Sequence, residues 1–406
     1  MRPRRSEFEM PQTASDSRIR VTPDGKIDLS TLLSDLPTEF NIKVADGYIT
    51  LTKTWYFRGV RRRCTAKVRR YIDAEKLALA LGLYRAEGQK TPERVRFVNT
   101  DPEIHRWFVE ALREMGVSEF KAHAQYCFCE ECGLQKLEKA VKKFEMETGV
   151  KVSNVYRNEA AHNPTFYLDV NNKALAVLLI TAEKALRREI AYGNTPKNIA
   201  NRYLRGIVEG DGSLNLKIDN GKAAGAHLEL YESDVDAIKD LIVITERLLG
   251  IKLSEYQGGE LQASIDLEDL MRLLLEDLVP MRHIKKVTER IIIALRHRRT
   301  PWILMRLTDT FKDEWFSSTE ASNVIHKARH HTLETLKALE QRGYLISKKV
   351  KDFSRAKSAG TPVRRLFKLT RKAKKLTKLL KSLLPPPLPF PFSFLAFYSS
   401  VTAFLV

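Results

Sequence analysis

Cysteine is scarce, with four residues in 406, too few for the disulfide framework that holds small secreted domains together. No apolar run is long enough for a membrane helix. The most apolar segment, the uncharged stretch 382–406, is broken by Pro385, Pro386, Pro387, Pro389 and Pro391, and 15 residues follow the last of these, short of the ~20 that a bilayer requires. The opening residues lack the pattern of a secretory leader. These absences predict a cytoplasmic chain in a reducing compartment, with no membrane partner and a disordered, proline-rich tail at 382–406.

Acidic residues are also in short supply. Asp and Glu number 50 against 69 Lys and Arg, a net charge of +19, and the pI is about 9.7. With 43% hydrophobic and 29% charged residues, the composition excludes a collagenous or wholly disordered chain. The length suggests two or three domains at ~150 residues each. The imbalance is local: residues 301–381 hold 20 Lys/Arg against 7 Asp/Glu, and residues 1–73 hold 15 against 9. The stretch 74–300 balances at 34 of each. Basic flanks around a neutral centre point to a polyanion, nucleic acid before membrane.

Residues 1–73 read as a polar start followed by β-prone runs, with a hairpin signal at Asp46-Gly47 and a basic second run through Arg61, Arg62, Arg63, Lys67, Arg69 and Arg70. Residues 74–195 and 196–300 then repeat one αββαββα-like pattern. A period of that length suggests a pseudo-twofold pair of α+β halves. Residues 301–381 read as helix, turn, helix from about His331 to Arg342, then a β-hairpin over 344–370, with Ser318 as N-cap and Gly343 as the helix stop. That order resembles a winged helix-turn-helix. Its wing carries Lys348, Lys349, Arg364, Arg365 and Lys368.

The helices that open the two halves end alike, in ALGLYRAEG (80–88) and LRGIVEGDG (204–212). Gly82 aligns with Gly206, Glu87 with Asp211 and Gly88 with Gly212. A glycine inside a helix costs up to about 1 kcal/mol against alanine, so its repetition suggests a close helix–helix approach. Each acid stands at the C-terminal end, where the helix dipole disfavours negative charge unless a cation compensates. Side-by-side packing would bring Glu87 and Asp211 to one point, where two carboxylates repel unless they share a divalent metal.

These paired motifs resemble the single-chain LAGLIDADG homing endonucleases, over residues 74–300, with GLYRAEGQKTPERVRFVNTDPE extending the likeness past the first helix. The resemblance implies saddle-shaped sheets over the DNA major groove and a site-specific, double-strand endonuclease. In that reading Glu87 and Asp211 hold Mg²⁺, and Lys90 serves as a catalytic helper. Tyr231-Glu232-Ser233 departs from the pattern where a Gln or Lys is expected, which leaves the second helper unassigned. Base-reading candidates on strands are Arg94, Arg96, Asn215 and Lys217. The expected partner is double-stranded DNA, bound by a monomer, with no small-molecule substrate. The alternatives are a non-cleaving transcriptional regulator on the same scaffold, or an intron RNA splicing cofactor.

Cys127, Cys129 and Cys132 form C-x-C-x-x-C, with His123 four residues before the first. Four such ligands suit structural zinc, but no second CxxC exists and Cys64 is isolated. The reading preferred from sequence is a loop with incidental thiols. His162-Asn163 resembles the end of an intein, yet Pro164 follows and the site is internal, so the chain is expected to be free-standing.

Overall fold

Two tight turns organise the N-terminal part of the computed structural model. Asp46-Gly47 has φ of 53° and 74°, and Arg58-Gly59 has 50° and 74°, the double left-handed backbone that matches the twist of a hairpin. Only the first was signalled by an Asp-Gly pair. The model describes residues 19–129, 133–219, 222–256, 258–296, 299–326, 328–351 and 363–383. The stretch 384–406, and with it the expectation about the tail, lies outside them.

β1 (Lys26–Asp28) pairs antiparallel with β5 (Tyr71–Asp73), while β2 (Phe40–Ala45), β3 (Tyr48–Phe57) and β4 (Val60–Arg69) form a three-stranded meander. Period-2 alternation gives the meander two unlike faces. Ile49, Leu51, Ala66 and Val68 are buried, while Lys43, Thr54, Arg61, Arg63 and Lys67 are exposed.

The first half runs α1 (Ala74–Glu87), β6 (Val95–Asn99), α2 (Pro102–Glu114), β7 (Lys121–Tyr126), α3 (Leu134–Thr148), β8 (Val152–Arg157), β9 (Thr165–Val170) and α4 (Lys173–Tyr192). Its helices start where short polar side chains cap them. The Asp73 carboxylate accepts from Lys76 N at 2.9 Å, and that of Asp101, just before Pro102, accepts from Glu103 N at 2.9 Å. Strand order is β6-β9-β7-β8, with β7 and β8 parallel. The second half runs α5 (Lys197–Gly210), β10 (Ser213–Asp219), β11 (Lys222–Tyr231), α6 (Val235–Leu249), β12 (Ser254–Glu255), β13 (Glu260–Ile265) and α7 (Leu267–Leu275), and α8 (Met281–Arg296) follows. Its strand order is β10-β11-β13-β12, antiparallel throughout. The second half therefore follows the αββαββα outline directly, whereas the first adds α2 between its first two strands.

α1 and α5 pack along each other at their glycines. A Cβ on Gly206 would stand 2.6 Å from Leu83 N and 2.9 Å from Gly82 C, and one on Gly82 would overlap the Tyr203 carbonyl oxygen. Backbone meets backbone there, so neither position has room for a side chain. Both helices are buried over most of their length.

The chain divides into two units, Met1–Val287 and Thr288–Val406. The second contains α9 (Arg299–Phe311), β14 (Phe316–Ser317), α10 (Ser318–Ile325), α11 (Arg329–Gln341), β15 (Leu345–Lys351), β16 (Val363–Leu369) and α12 (Arg371–Leu383), with strand order β14-β16-β15. The N-cap is Ser317 rather than Ser318. Its hydroxyl accepts from Glu320 N at 3.3 Å while its own N–H donates to Glu320 Oε2 at 2.6 Å, a reciprocal capping box. α11 stops at Gly343, whose φ is 75°, and Tyr344 N closes the turn onto Leu339 O at 2.9 Å. Helix, turn, helix and hairpin make this a winged-helix unit, and the whole fold is α+β. Among the described residues no helix is long and apolar enough to cross a membrane.

Candidate acid pair and DNA interface

Each acid is carried to the same place by its own helix. Glu87 is the last residue of α1, and Asp211 caps α5. A Cβ on Gly210 would lie 2.9 Å from Glu87 Cγ, so the glycine beside Asp211 is what admits Glu87. Burial and the nearby Glu87 charge push the Asp211 carboxyl up to about 7. Burial raises Glu87 as well, offset by the Asn99 amide, which donates to Glu87 Oε1 at 2.7 Å. Asn99 is itself held: its Oδ1 accepts from Asp101 N at 2.8 Å, and His105 Nε2 lies 3.2 Å from its carbonyl oxygen. Burial lowers His105 to about 4, which leaves it neutral at physiological pH.

Three residues at this site escaped the motif. Arg282, at the start of α8, donates to Glu209 O at 3.0 Å and to Gly212 O, covering the carbonyls at the end of α5. Glu232, just past β11, is 3% exposed. Arg85 of α1 donates to it at 2.6 Å, and Ser233 N and Asp234 N donate at 2.8 and 2.9 Å. Lys90 Nζ stands 4.0 Å from Glu232 Oε1. The expected helper position of the second half thus holds a third carboxylate, which raises Asp211 further. Two of these had a sequence signal: Glu232, at the expected helper position, and Asn99, in the strand following the motif, which begins the Asn-Thr-Asp-Pro helix start.

The strand candidates are less free than their charge suggested. Arg96 makes a two-pronged bond to Asp169 at 2.8 and 3.0 Å, and Arg94 Nε lies 3.8 Å from the same carboxylate. Arg94 precedes β6 rather than lying in it. Beside them Tyr167 stacks on His123 at 4.7 Å, and Tyr156 meets His123 edge-on at 5.3 Å. The outer face of the first sheet is therefore an arginine–aromatic row. In the second sheet Asn215 donates to Glu229 at 2.6 Å, and Lys217 is opposite Gly225 on β10. In the winged unit Lys348 lies over Trp315 at 4.3 Å. Arg365 bonds Glu340 at 2.7 Å, Arg364 bonds Glu320 at 3.3 Å, and Lys349 is exposed opposite Arg365. Arg329, His330, His331 and Lys337 are exposed on α11, a helix surface that charge counting alone did not single out.

No family model matches the chain, and no curated protein does. Among solved structures it is similar to full-length DUF199/WhiA from Thermatoga maritima, at 11% identity and a TM-score of 0.32, over 66% of this chain and 91% of that one. It is also similar to the N-terminal LAGLIDADG domain of DUF199/WhiA, at 11% identity and a TM-score of 0.28, over 52% and 85%.

The paired glycine-and-acid helices and the two four-stranded sheets expected of a LAGLIDADG-like scaffold are present, but the expectation of a homing endonuclease is corrected. The similar structures carry the names DUF199/WhiA and LAGLIDADG domain, and neither is named as an endonuclease. The chain is accordingly not read as a phosphodiester hydrolase. The site's composition accords with that correction: the position for a second basic or amide helper is Glu232, neutralised by Arg85, and Lys90 faces that carboxylate rather than standing apart from it.

Proposed function

We propose that this protein binds duplex DNA without cutting it, as a regulator built on a LAGLIDADG scaffold with a winged-helix unit. The observation that carries the reading is the winged unit itself. It presents α11 with Arg329, His330, His331 and Lys337 outward, beside a two-stranded wing bearing Lys348, Lys349, Arg364 and Arg365. A helix of this kind enters the major groove while basic strands grip phosphates. Further support comes from the arginine–aromatic face of the first sheet and the exposed Thr/Lys/Arg face of the N-terminal meander. Of the strand residues, Arg94, Arg96, Asn215 and Lys217 are retained as contacts to DNA. In the case of the two arginines, Asp169 fixes their direction.

Two carboxylates pressed together with raised proton affinity have the donor chemistry to hold Mg²⁺. Glu87 and Asp211 would be its protein ligands, and the ion when bound would neutralise their paired negative charge. Lys90 adds positive charge at the same place.

The test is affinity for duplex DNA across a salt series, full-length against a chain truncated after Arg299. Each lost phosphate contact flattens the slope of log K against log[salt] by about 0.9, so removal of the winged unit should flatten it by several units. Parallel incubations with Mg²⁺ and with EDTA should both leave the DNA intact. An unchanged slope removes the winged unit from the interface.

A further inference from the structure

The one group of three or more His, Cys, Asp or Glu side chains that gathers its ligand atoms, among the described residues, lies away from the acid pair. Cys127 and Cys129 follow β7, and His162 lies in the loop between β8 and β9. The two sulfurs and an imidazole nitrogen all lie within 4.8 Å of one another. Sequence reading paired these thiols with His123, which instead stacks against Tyr167 on the outer face of the sheet. The histidine that reaches them is 33 residues past Cys129 and arrives through the sheet.

We propose that Cys127, Cys129 and His162 bind a zinc ion. Tetrahedral zinc takes thiolate at ~2.3 Å and imidazole at ~2.0 Å, which places neighbouring ligand atoms roughly 3.5–3.8 Å apart. The observed spread closes to that with shifts on the order of 1 Å. Thiolate and imidazole together favour zinc over the hard cations, which take oxygen.

The two loops are already fastened to each other. Cys127 N donates to Ala161 O at 2.8 Å, Asn158 N donates to Tyr126 O at 3.0 Å, and Lys136 Nζ donates to His162 O at 3.1 Å. The backbone flanking both ligand-bearing loops is thus held before any ion binds, which lowers the ordering cost of assembling the site. A tetrahedral ion takes a fourth donor. Cys132 stands at C-x₂-C spacing from Cys129 in the sequence, lies outside the described residues and is not part of the assigned set.

The experiment uses the full chain. Zinc per chain is measured by elemental analysis after purification without chelator, then after stripping and reloading. One zinc per chain is expected. Reloading with Co²⁺ should produce the visible bands of tetrahedral cobalt together with a thiolate-to-metal charge-transfer band. Cys127→Ser should lose stoichiometric metal, and Cys64→Ser should retain it. His162→Cys should retain metal and strengthen the charge-transfer band, which distinguishes lost ligation from lost folding. Substoichiometric zinc in the reduced wild type, a cobalt spectrum without thiolate character, or retention of the metal by Cys127→Ser overturns the proposal.

Discussion

The two halves put the same helix pair to work under different sheets. In the second half a hairpin joins β10 directly to β11, so the first two strands are neighbours. In the first half α2 separates β6 from β7, the two run parallel, and β9 lies between them. A parallel pair needs a crossover connection and a hairpin cannot supply one. The insertion of one helix therefore reorders a whole sheet. It leaves the α1–α5 contact unaffected, because that contact rests on glycine backbones and not on strand connectivity.

Charge separates the halves as well. Arg85 and Glu209 occupy aligned positions with opposite sign. Arg85 reaches into the second half to bury Glu232, whereas Glu209 pairs with Arg205 in its own helix at 2.5 Å and accepts from Met281 N at 3.0 Å. The acids then diverge. Glu87 has an amide partner in Asn99, whereas burial and the field of its neighbours set the proton affinity of Asp211.

The largest effect is expected at the shared contact. Gly206→Val places carbon against Leu83 N and should cost about 3 kcal/mol or more, read as a fall in the urea midpoint. A shift below about 1 kcal/mol would mean that the helices tolerate separation. Arg85→Met comes next, since it strands Glu232 in the interior. Removal of one partner from a buried pair costs roughly 3 kcal/mol, and the double variant Arg85→Met/Glu232→Gln should recover part of that. Equal losses in single and double variants would show that packing, not charge, is what Arg85 supplies.

The smallest effect sharpens the contrast between the acids. Asp211 binds its proton more tightly folded, at about 7, than at its ordinary 3.8. The folded state therefore holds more protons between about pH 4 and 7, and the stability associated with that proton is present below pH 4 and lost as pH rises through 7. Asp211→Asn, permanently neutral, should match the parent near pH 4 and exceed it at pH 8 by on the order of 1–2 kcal/mol, less than the ~4 kcal/mol of the full shift because the buried amide brings its own desolvation cost. Glu87→Gln should gain less, because Asn99 already compensates its charge. Thermal unfolding at both pH values checks this, and an equal gain for the two variants would erase the asymmetry.

Much of this architecture was legible along the chain because it is local. The Asp46-Gly47 turn, the Asp101-Pro102 helix start, the Gly343 stop and the helix-helix-strand-strand order from Ser318 to Leu369 all follow from what a few neighbouring residues allow the backbone to do, whereas α9 and α12 on either side of that run were not read from the sequence. The glycine-and-acid motif also marked which helix faces meet, since Gly82 and Gly206 state their purpose by lacking side chains. Strand order was not legible, because hydrophobic alternation says which face of a strand is buried and nothing about which strand lies beside it. Nor were the partners of the charged groups. Arg85 and Glu232 are 147 residues apart, Arg96 and Asp169 are 73 apart, and His162 meets Cys127 only through the fold. The proton affinity of Asp211 belongs to this second class too, because it depends on how much water and how much neighbouring charge the packed chain leaves around one carboxylate.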